Sequence, residues 1–184
     1  MDDFIGKYKI EKEVCDKVIK FFNQNKKRQS PGVVGNNRTD PYFKISTDIG
    51  LNGADGLSPL LKEYFEELGF CLGKYKKKYI YSDKLQKGYM IEGCNIQKYK
   101  PNEGFKQWHY ENNGVNISRH LVFMTYLNTC KKAGTEFFYQ NKTFKCNQGD
   151  TLIWPAAWTH THKGQISKTE IKYIITGWYC YENN

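Results

Sequence analysis

In the segment QWHYENNG, His109 and Glu111 stand two positions apart. In an extended strand that spacing turns both side chains to the same side, with α-carbons about 7 Å apart. An imidazole nitrogen and a carboxylate oxygen so placed can converge on one cation. A metal site needs a third donor, and the chain has four histidines. His120 opens an apolar run beside Arg119 and reads as a polar cap on that strand. His160 and His162, in WTHTHKG, would share a face of a strand, and either could supply the missing nitrogen. Two histidines and one carboxylate leave positions open for substrate and dioxygen, as in non-haem Fe(II) oxygenases, whereas four protein ligands would close the site as in structural zinc. Spacing alone leaves the choice of metal open.

A second set of candidates lies in KYIITGWY, residues 172–179. Read as a strand, it puts Lys172, Ile174, Thr176 and Trp178 on one face and Tyr173, Ile175 and Tyr179 on the other. A lysine on an otherwise apolar inward face is costly without an anionic partner. With Thr176 on the same face, it offers a cation and a hydroxyl suited to a small carboxylate. The alternative is a sheet-edge lysine that reaches out to water.

These residues need elements to hold them. Residues 11–23 place Val14, Val18, Phe21 and Phe22 at helical spacing. Ser58 as N-cap and Pro59 in the first turn predict a second helix, with Leu60, Leu61, Tyr64, Phe65, Leu68, Leu72 and Tyr75 as its apolar stripe. Between them, residues 24–57 are rich in Gly, Asn and Pro, with YFKIS at 42–46 as the one expected strand. Residues 82–94 read as a second irregular stretch, and connections this long are often lids or binding loops. From residue 95 onward, short apolar runs alternate with turn signals: 95–99, 120–128, 135–139, 143–146, 150–154 and 170–181. Helices followed by strands predict an α+β arrangement, with helices buttressing one face of an antiparallel sandwich or open barrel. A single domain suffices for 184 residues, with 1–94 as helical support and loops and 95–181 as the β core.

The bulk properties narrow the class. Apolar residues at 39 % and aromatics at 16 % exclude a disordered chain. No run approaches the roughly 18–20 apolar residues of a membrane span. Six cysteines without a CxxC pair, and an N-terminus without a signal peptide's apolar core, lead us to expect a reducing cytoplasm. The net charge of +9 comes largely from short runs such as KYKKKY and NKKRQ. These read first as solvated faces, with a polyanionic or acidic partner as the alternative.

Taken together, the segments from 95 to 181 resemble the Fe(II)- and 2-oxoglutarate-dependent oxygenases, in their prolyl 4-hydroxylase-like branch. Tyr99 precedes His109 by ten positions, as a cosubstrate-binding tyrosine does in the hypoxia-sensing prolyl hydroxylases. RHLVFMTYLN resembles the family strand ending Tyr-Leu-Asn; GTEFF is similar to its Gly-Gly-x-Thr-x-Phe strand and QGDTLIWP to its Gly-Asp-x-Leu-x-Phe strand. HKG resembles the family's His-x-Gly, and Lys172 lies ten positions after His162, as the cosubstrate lysine does in collagen-type prolyl hydroxylases.

The resemblance implies a double-stranded β-helix, a jelly-roll or cupin-like barrel, with His109, Glu111 and His162 holding Fe(II). It implies 2-oxoglutarate bound by Lys172 with Tyr99, Tyr126 and Thr176, and dioxygen as co-reactant, with ascorbate a candidate reductant. The chemistry is iron-centred, with no separate protein acid or base. Arg119 and Trp178 fall where the family meets substrate, and the expected substrate is a prolyl residue of a protein or peptide. Glu111 departs from the family's usual aspartate, and its extra methylene requires the side chain to fold back. The arginine-rich signature of the nucleic-acid dealkylases is absent after His162, which disfavours nucleic acid as substrate. Two alternatives stand beside this reading: an oxygenase of a free amino acid or small metabolite, and a binding module with a basic surface.

Overall fold

The structure is a computed structural model and describes residues 2–35, 38–84, 88–114 and 116–181. The first half of the chain supplies β1 (Gly6–Lys9), α1 (Lys12–Gln24), β2 (Ser30–Pro31), β3 (Lys44–Ile45), β4 (Thr47–Leu51) and α2 (Lys62–Lys78). The second half is almost all strand: β5 (Tyr89–Tyr99), β6 (Gly104–Phe105), β7 (Arg119–Tyr126), β8 (Cys130–Phe137), β9 (Lys142–Cys146), β10 (Asp150–Pro155), β11 (His162–Gln165) and β12 (Lys172–Tyr181). They form a seven-stranded sheet in the order β1-β10-β7-β12-β5-β4-β2, a three-stranded sheet β11-β8-β9 and a two-stranded β3-β6 pair. Every paired strand is antiparallel. The α+β expectation holds, and the double-stranded β-helix is the architecture.

Period-two alternation decides which side of the large sheet each residue serves. Leu121, Phe123, Ile153, Ile175 and Tyr179 turn one way and pack on Val14, Val18, Phe22, Leu68 and Tyr75 of the two helices. Val122, Met124, Tyr126, Trp154 and Ile174 turn the other way, into the barrel, against Phe137 of the small sheet. Each fully buried aliphatic or aromatic side chain contributes roughly 1.5–3 kcal/mol of transfer free energy. Gly177 permits the closest approach in β12: a Cβ there would lie 2.5 Å from the Phe123 ring and from the Gly93 carbonyl oxygen.

Several boundaries differ from the sequence reading. Helix α2 starts at Lys62 with Leu61 as N-cap. Ser58 and Pro59 belong instead to a preceding turn, where the Ser58 carbonyl accepts from the Leu61 and Lys62 N–H groups at 2.9 Å. The stretch 82–94 is not all irregular, because β5 begins at Tyr89 and pairs with β12 along its whole length. Segment 24–57 contains the two-residue β2 and the longer β4 as well as β3. Its Thr47–Leu51 alternates Ile49 and Leu51, which pack on the helix side, with Asp48 and Gly50, which line the cavity, but the run is short and Asp and Gly are poor strand formers, so its pairing with β5 decides it.

Candidate active site

Backbone pairing brings the two metal-candidate segments together across 53 positions of chain. His109 N–H donates to the His162 carbonyl at 3.0 Å, and His162 N–H donates back at 2.9 Å. Just beyond, the Ala156 carbonyl accepts from Glu111 N–H at 3.1 Å and fixes the loop that carries the carboxylate. Each ring is also set from behind. The His109 Nδ1 lies 3.0 Å from the Gln107 carbonyl and the His162 Nδ1 lies 2.9 Å from the His160 carbonyl. Both rings thus donate through Nδ1–H and keep Nε2 free, the arrangement that orients metal-binding imidazoles. Phe105 stacks on His109 at 3.7 Å between centroids.

The free nitrogens face one carboxylate oxygen. Glu111 Oε1 is 3.5 Å from His109 Nε2 and 3.8 Å from His162 Nε2. One ligand atom from each of the three residues lies within 4.8 Å of the others. Burial opposes ionisation of Glu111, but the contact with His109 and the positive surroundings, Arg119 among them, outweigh it and hold the carboxyl at about 2. Burial, with His109 beside it, pushes the His162 imidazole down to about 3. An ionised carboxylate and a neutral imidazole are the forms that bind a metal. The donor set fits Fe(II): two nitrogens and one oxygen on one side, with the remaining positions open.

The extra methylene of Glu111 is accommodated from the side. Its second oxygen, Oε2, is 3.3 Å from Arg119 Nη1, while the Arg119 Nη2 reaches Glu92 Oε1 at 3.1 Å. The guanidinium also lies over the Trp178 ring, 3.6 Å from its centroid. Arg119 is therefore held by three side chains of its own protein, although it and Trp178 both line the cavity.

That cavity, about 1060 Å³, opens between the two sheets, with His109, Glu111 and His162 in its wall. Lys172, Ile174, Thr176 and Trp178 line it from β12, as the alternation requires, and Tyr173, Ile175 and Tyr179 face the helices. Lys172 is buried. Its Nζ donates to the Gln165 carbonyl at 3.2 Å and sits over the Tyr99 ring at 4.8 Å. Among the described residues no carboxylate pairs with it. Burial pulls its pKa below the ordinary lysine range. A Cβ on Gly164 would come 3.5 Å from Nζ, so the bare glycine leaves the ammonium open to the cavity. An anion with a terminal carboxylate fits this end.

The other expected cosubstrate contacts divide. The Thr176 hydroxyl donates to the Phe123 carbonyl at 2.9 Å while its side lines the cavity. Tyr99 lines the cavity too, with its hydroxyl bonded to the Gln97 side chain. Tyr126 is fully buried behind the wall, its hydroxyl 2.7 Å from the Thr135 hydroxyl. Thr135, itself buried, takes the cavity-lining position instead. It belongs to the GTEFF motif, which was the available signal. Glu92 had none, since its partner Arg119 lies 27 positions away, and Lys44 and Asp48, four positions apart, had nothing to mark them as buried. His160 is structural, with Nε2 2.9 Å from the Asp3 carbonyl, and His120 sits 2.7 Å from the Tyr181 hydroxyl.

A barrel with a His-x-Glu…His wall and an open coordination face has the donor arrangement of the non-haem iron oxygenases. Residues 94–180 match the model of the 2OG-Fe(II) oxygenase superfamily. The chain is a 2-oxoglutarate-dependent dioxygenase, using Fe(II), 2-oxoglutarate and dioxygen, with the fold of the prolyl 4-hydroxylases. Among solved structures it is similar to a viral collagen prolyl hydroxylase from Paramecium Bursaria Chlorella virus-1 in complex with 2OG (TM-score 0.71, 16% identity, 96% of this chain and 95% of that one). It is also similar to a Pseudomonas putida prolyl-4-hydroxylase (0.73, 9%, 96% and 92%). A third is a Trichoplax adhaerens prolyl hydroxylase in complex with a hypoxia inducible factor peptide fragment (0.68, 17%, 95% and 83%). Among curated proteins, none matches.

Proposed function

We propose that the protein hydroxylates a prolyl residue of a protein or peptide, within a single domain whose helices buttress the barrel. The observation that carries the oxygenase part of this reading is the single cavity that joins an open metal wall to a buried, unpaired lysine. For the substrate, the support is the company the fold keeps, with prolyl hydroxylases, one bound to a peptide, among its structural relatives.

His109, Glu111 and His162 would hold the iron through Nε2, Oε1 and Nε2. Lys172 would neutralise the far carboxylate of 2-oxoglutarate, in a site where low dielectric strengthens a charge-assisted pair. Thr135, Thr176 and Tyr99 would line the cosubstrate's path, with Tyr126 orienting the Thr135 hydroxyl. Arg119 keeps Oε2 of Glu111 occupied so that Oε1 faces the histidines, and Trp178 gives the cavity an apolar wall. When bound, iron and 2-oxoglutarate couple decarboxylation to succinate and CO2 with delivery of one oxygen atom of dioxygen to the substrate. The chain's own contribution is placement and exclusion of water, without a protein acid or base.

Succinate release with iron and 2-oxoglutarate should depend on a prolyl peptide and disappear in Lys172→Ala. Turnover restricted to free amino acids would transfer the reading to a small-metabolite oxygenase. Failure to bind Fe(II) or Mn(II) in titration calorimetry would leave a binding module.

A further inference from the structure

The outer face of the three-stranded sheet carries charge that the oxygenase reaction does not use. A concavity of about 610 Å³ there is lined by Lys106, Lys131, Lys132, Lys145 and Lys163, with Glu136 as its only carboxylate. Glu136 is already engaged, 3.4 Å from Lys163 Nζ and 2.9 Å from the Gln165 amide. Lys106 is held by the Pro41 carbonyl at 3.0 Å, which leaves its charge uncompensated. Among the described residues, Lys131, Lys132 and Lys145 form no ion pair. Glu170 stands near them, but its carboxylate takes the Lys132 backbone N–H at 3.4 Å and the Cys130 thiol at 3.6 Å.

Two contacts join this face to the iron site. Gly164 lines both the concavity and the active-site cavity. Lys163 lies 4.4 Å over the Trp108 ring, next in sequence to His109, and Trp108 begins a run of exposed rings through Phe138, Tyr139 and Trp158. We infer that this lysine face docks an acidic segment of the same polypeptide whose prolyl residue enters the iron site. The inference rests on the peptide-substrate reading above. Charge complementarity selects the occupant: five cations against one engaged carboxylate attract Asp and Glu side chains without requiring a fixed sequence. The aromatic run favours peptide over nucleic acid. Its rings meet edge to face at 84°, 78° and 83°, and Trp108 has a lysine over it, so they do not form parallel platforms for stacked bases.

The test uses labelled peptides with one proline and either a flanking Asp/Glu run or a Ser run in its place, titrated against the full chain by fluorescence anisotropy. The acidic peptide should bind at least about tenfold more tightly, and the advantage should shrink as salt rises from about 50 mM to about 300 mM. The triple variant Lys131→Glu, Lys132→Glu, Lys145→Glu should erase it, and the milder Gln variants should reduce it. KM for the acidic peptide should rise, with kcat and turnover of the neutral peptide unchanged. Equal binding of the acidic peptide by wild type and the triple variant would overturn the inference, as would a single-stranded oligonucleotide that binds this face more tightly than the peptide. Neutral-peptide turnover reports on the prolyl reading separately, and anisotropy is readable without iron or 2-oxoglutarate.

Discussion

Two lysines are buried in this protein to nearly the same extent, Lys44 at 6% exposure and Lys172 at 5%, and both line the active-site cavity. Lys44 Nζ is 2.6 Å from Asp48 Oδ2, so its charge is balanced from within the chain. Lys172 has a backbone carbonyl and an aromatic ring, and no carboxylate. A buried charge without a partner costs several kcal/mol, which a fold retains only where something outside supplies the balance. The first lysine is balanced within the groove, and the second is the one left to meet an anion under the proposed function. Burial alone does not distinguish them, and the identity of the counter-charge does.

Asp48→Ala is expected to have the largest effect, because it leaves Lys44 charged and unpaired: about 3–5 kcal/mol of stability lost in urea unfolding. A loss below about 1 kcal/mol would show that Lys44 reaches water and would break the contrast. Lys172→Met should leave the ligand-free protein as stable as wild type or more so. It should also abolish the stabilisation by 2-oxoglutarate, which in wild type with bound Mn(II) amounts to about 2.7 kcal/mol at a hundredfold excess over Kd. Thermal denaturation with and without 2-oxoglutarate measures both halves.

Arg119→Gln removes the support behind Glu111 and should weaken Mn(II) binding about 10- to 100-fold by calorimetry. Unchanged affinity would mean that the carboxylate folds back unaided. The smallest effect is in pH. Burial lowers the Lys172 pKa in the folded state, so below that value the ammonium is buried at full cost. As pH rises through it, the folded state loses the proton while the unfolded chain keeps it up to about pH 10.4. Wild-type stability should therefore climb relative to Lys172→Met by at most about 1.4 kcal/mol per pH unit in that window, while 2-oxoglutarate binding falls. The nearby Cys146 thiol, pushed up to about 12 by burial, stays protonated through most of it.

The face that each candidate side chain would share was legible where the signal is local. In β12, a side chain's face depends only on whether its position is odd or even, so Lys172, Ile174, Thr176 and Trp178 could be grouped on one face before any fold was known. His162 over His160 was less secure from spacing. It rested on resemblance, and the backbone bridge to His109 supplies the structural reason. Tyr126 was placed at the cosubstrate by motif, yet the Phe144 and Thr135 side of the barrel closes over it. The bond to Phe144 is to its carbonyl, at 3.4 Å. Strand β4 was illegible because its two apolar residues, Ile49 and Leu51, alternate with a charge and a glycine in a run of five that exists through its pairing with β5.

The sequence by itself determined the shared side of His109 and Glu111, the face of β12 and the helix stripes, since each follows from residue type and a period of two or 3.6 along a continuous segment. Tertiary structure decided the counter-charges: Asp48 for Lys44, Glu92 and Glu111 for Arg119, and none for Lys172. Coulomb energy depends on distance in space and on burial, and sequence spacing records neither, whether the partners are four residues apart, as Lys44 and Asp48 are, or 27, as Glu92 and Arg119 are.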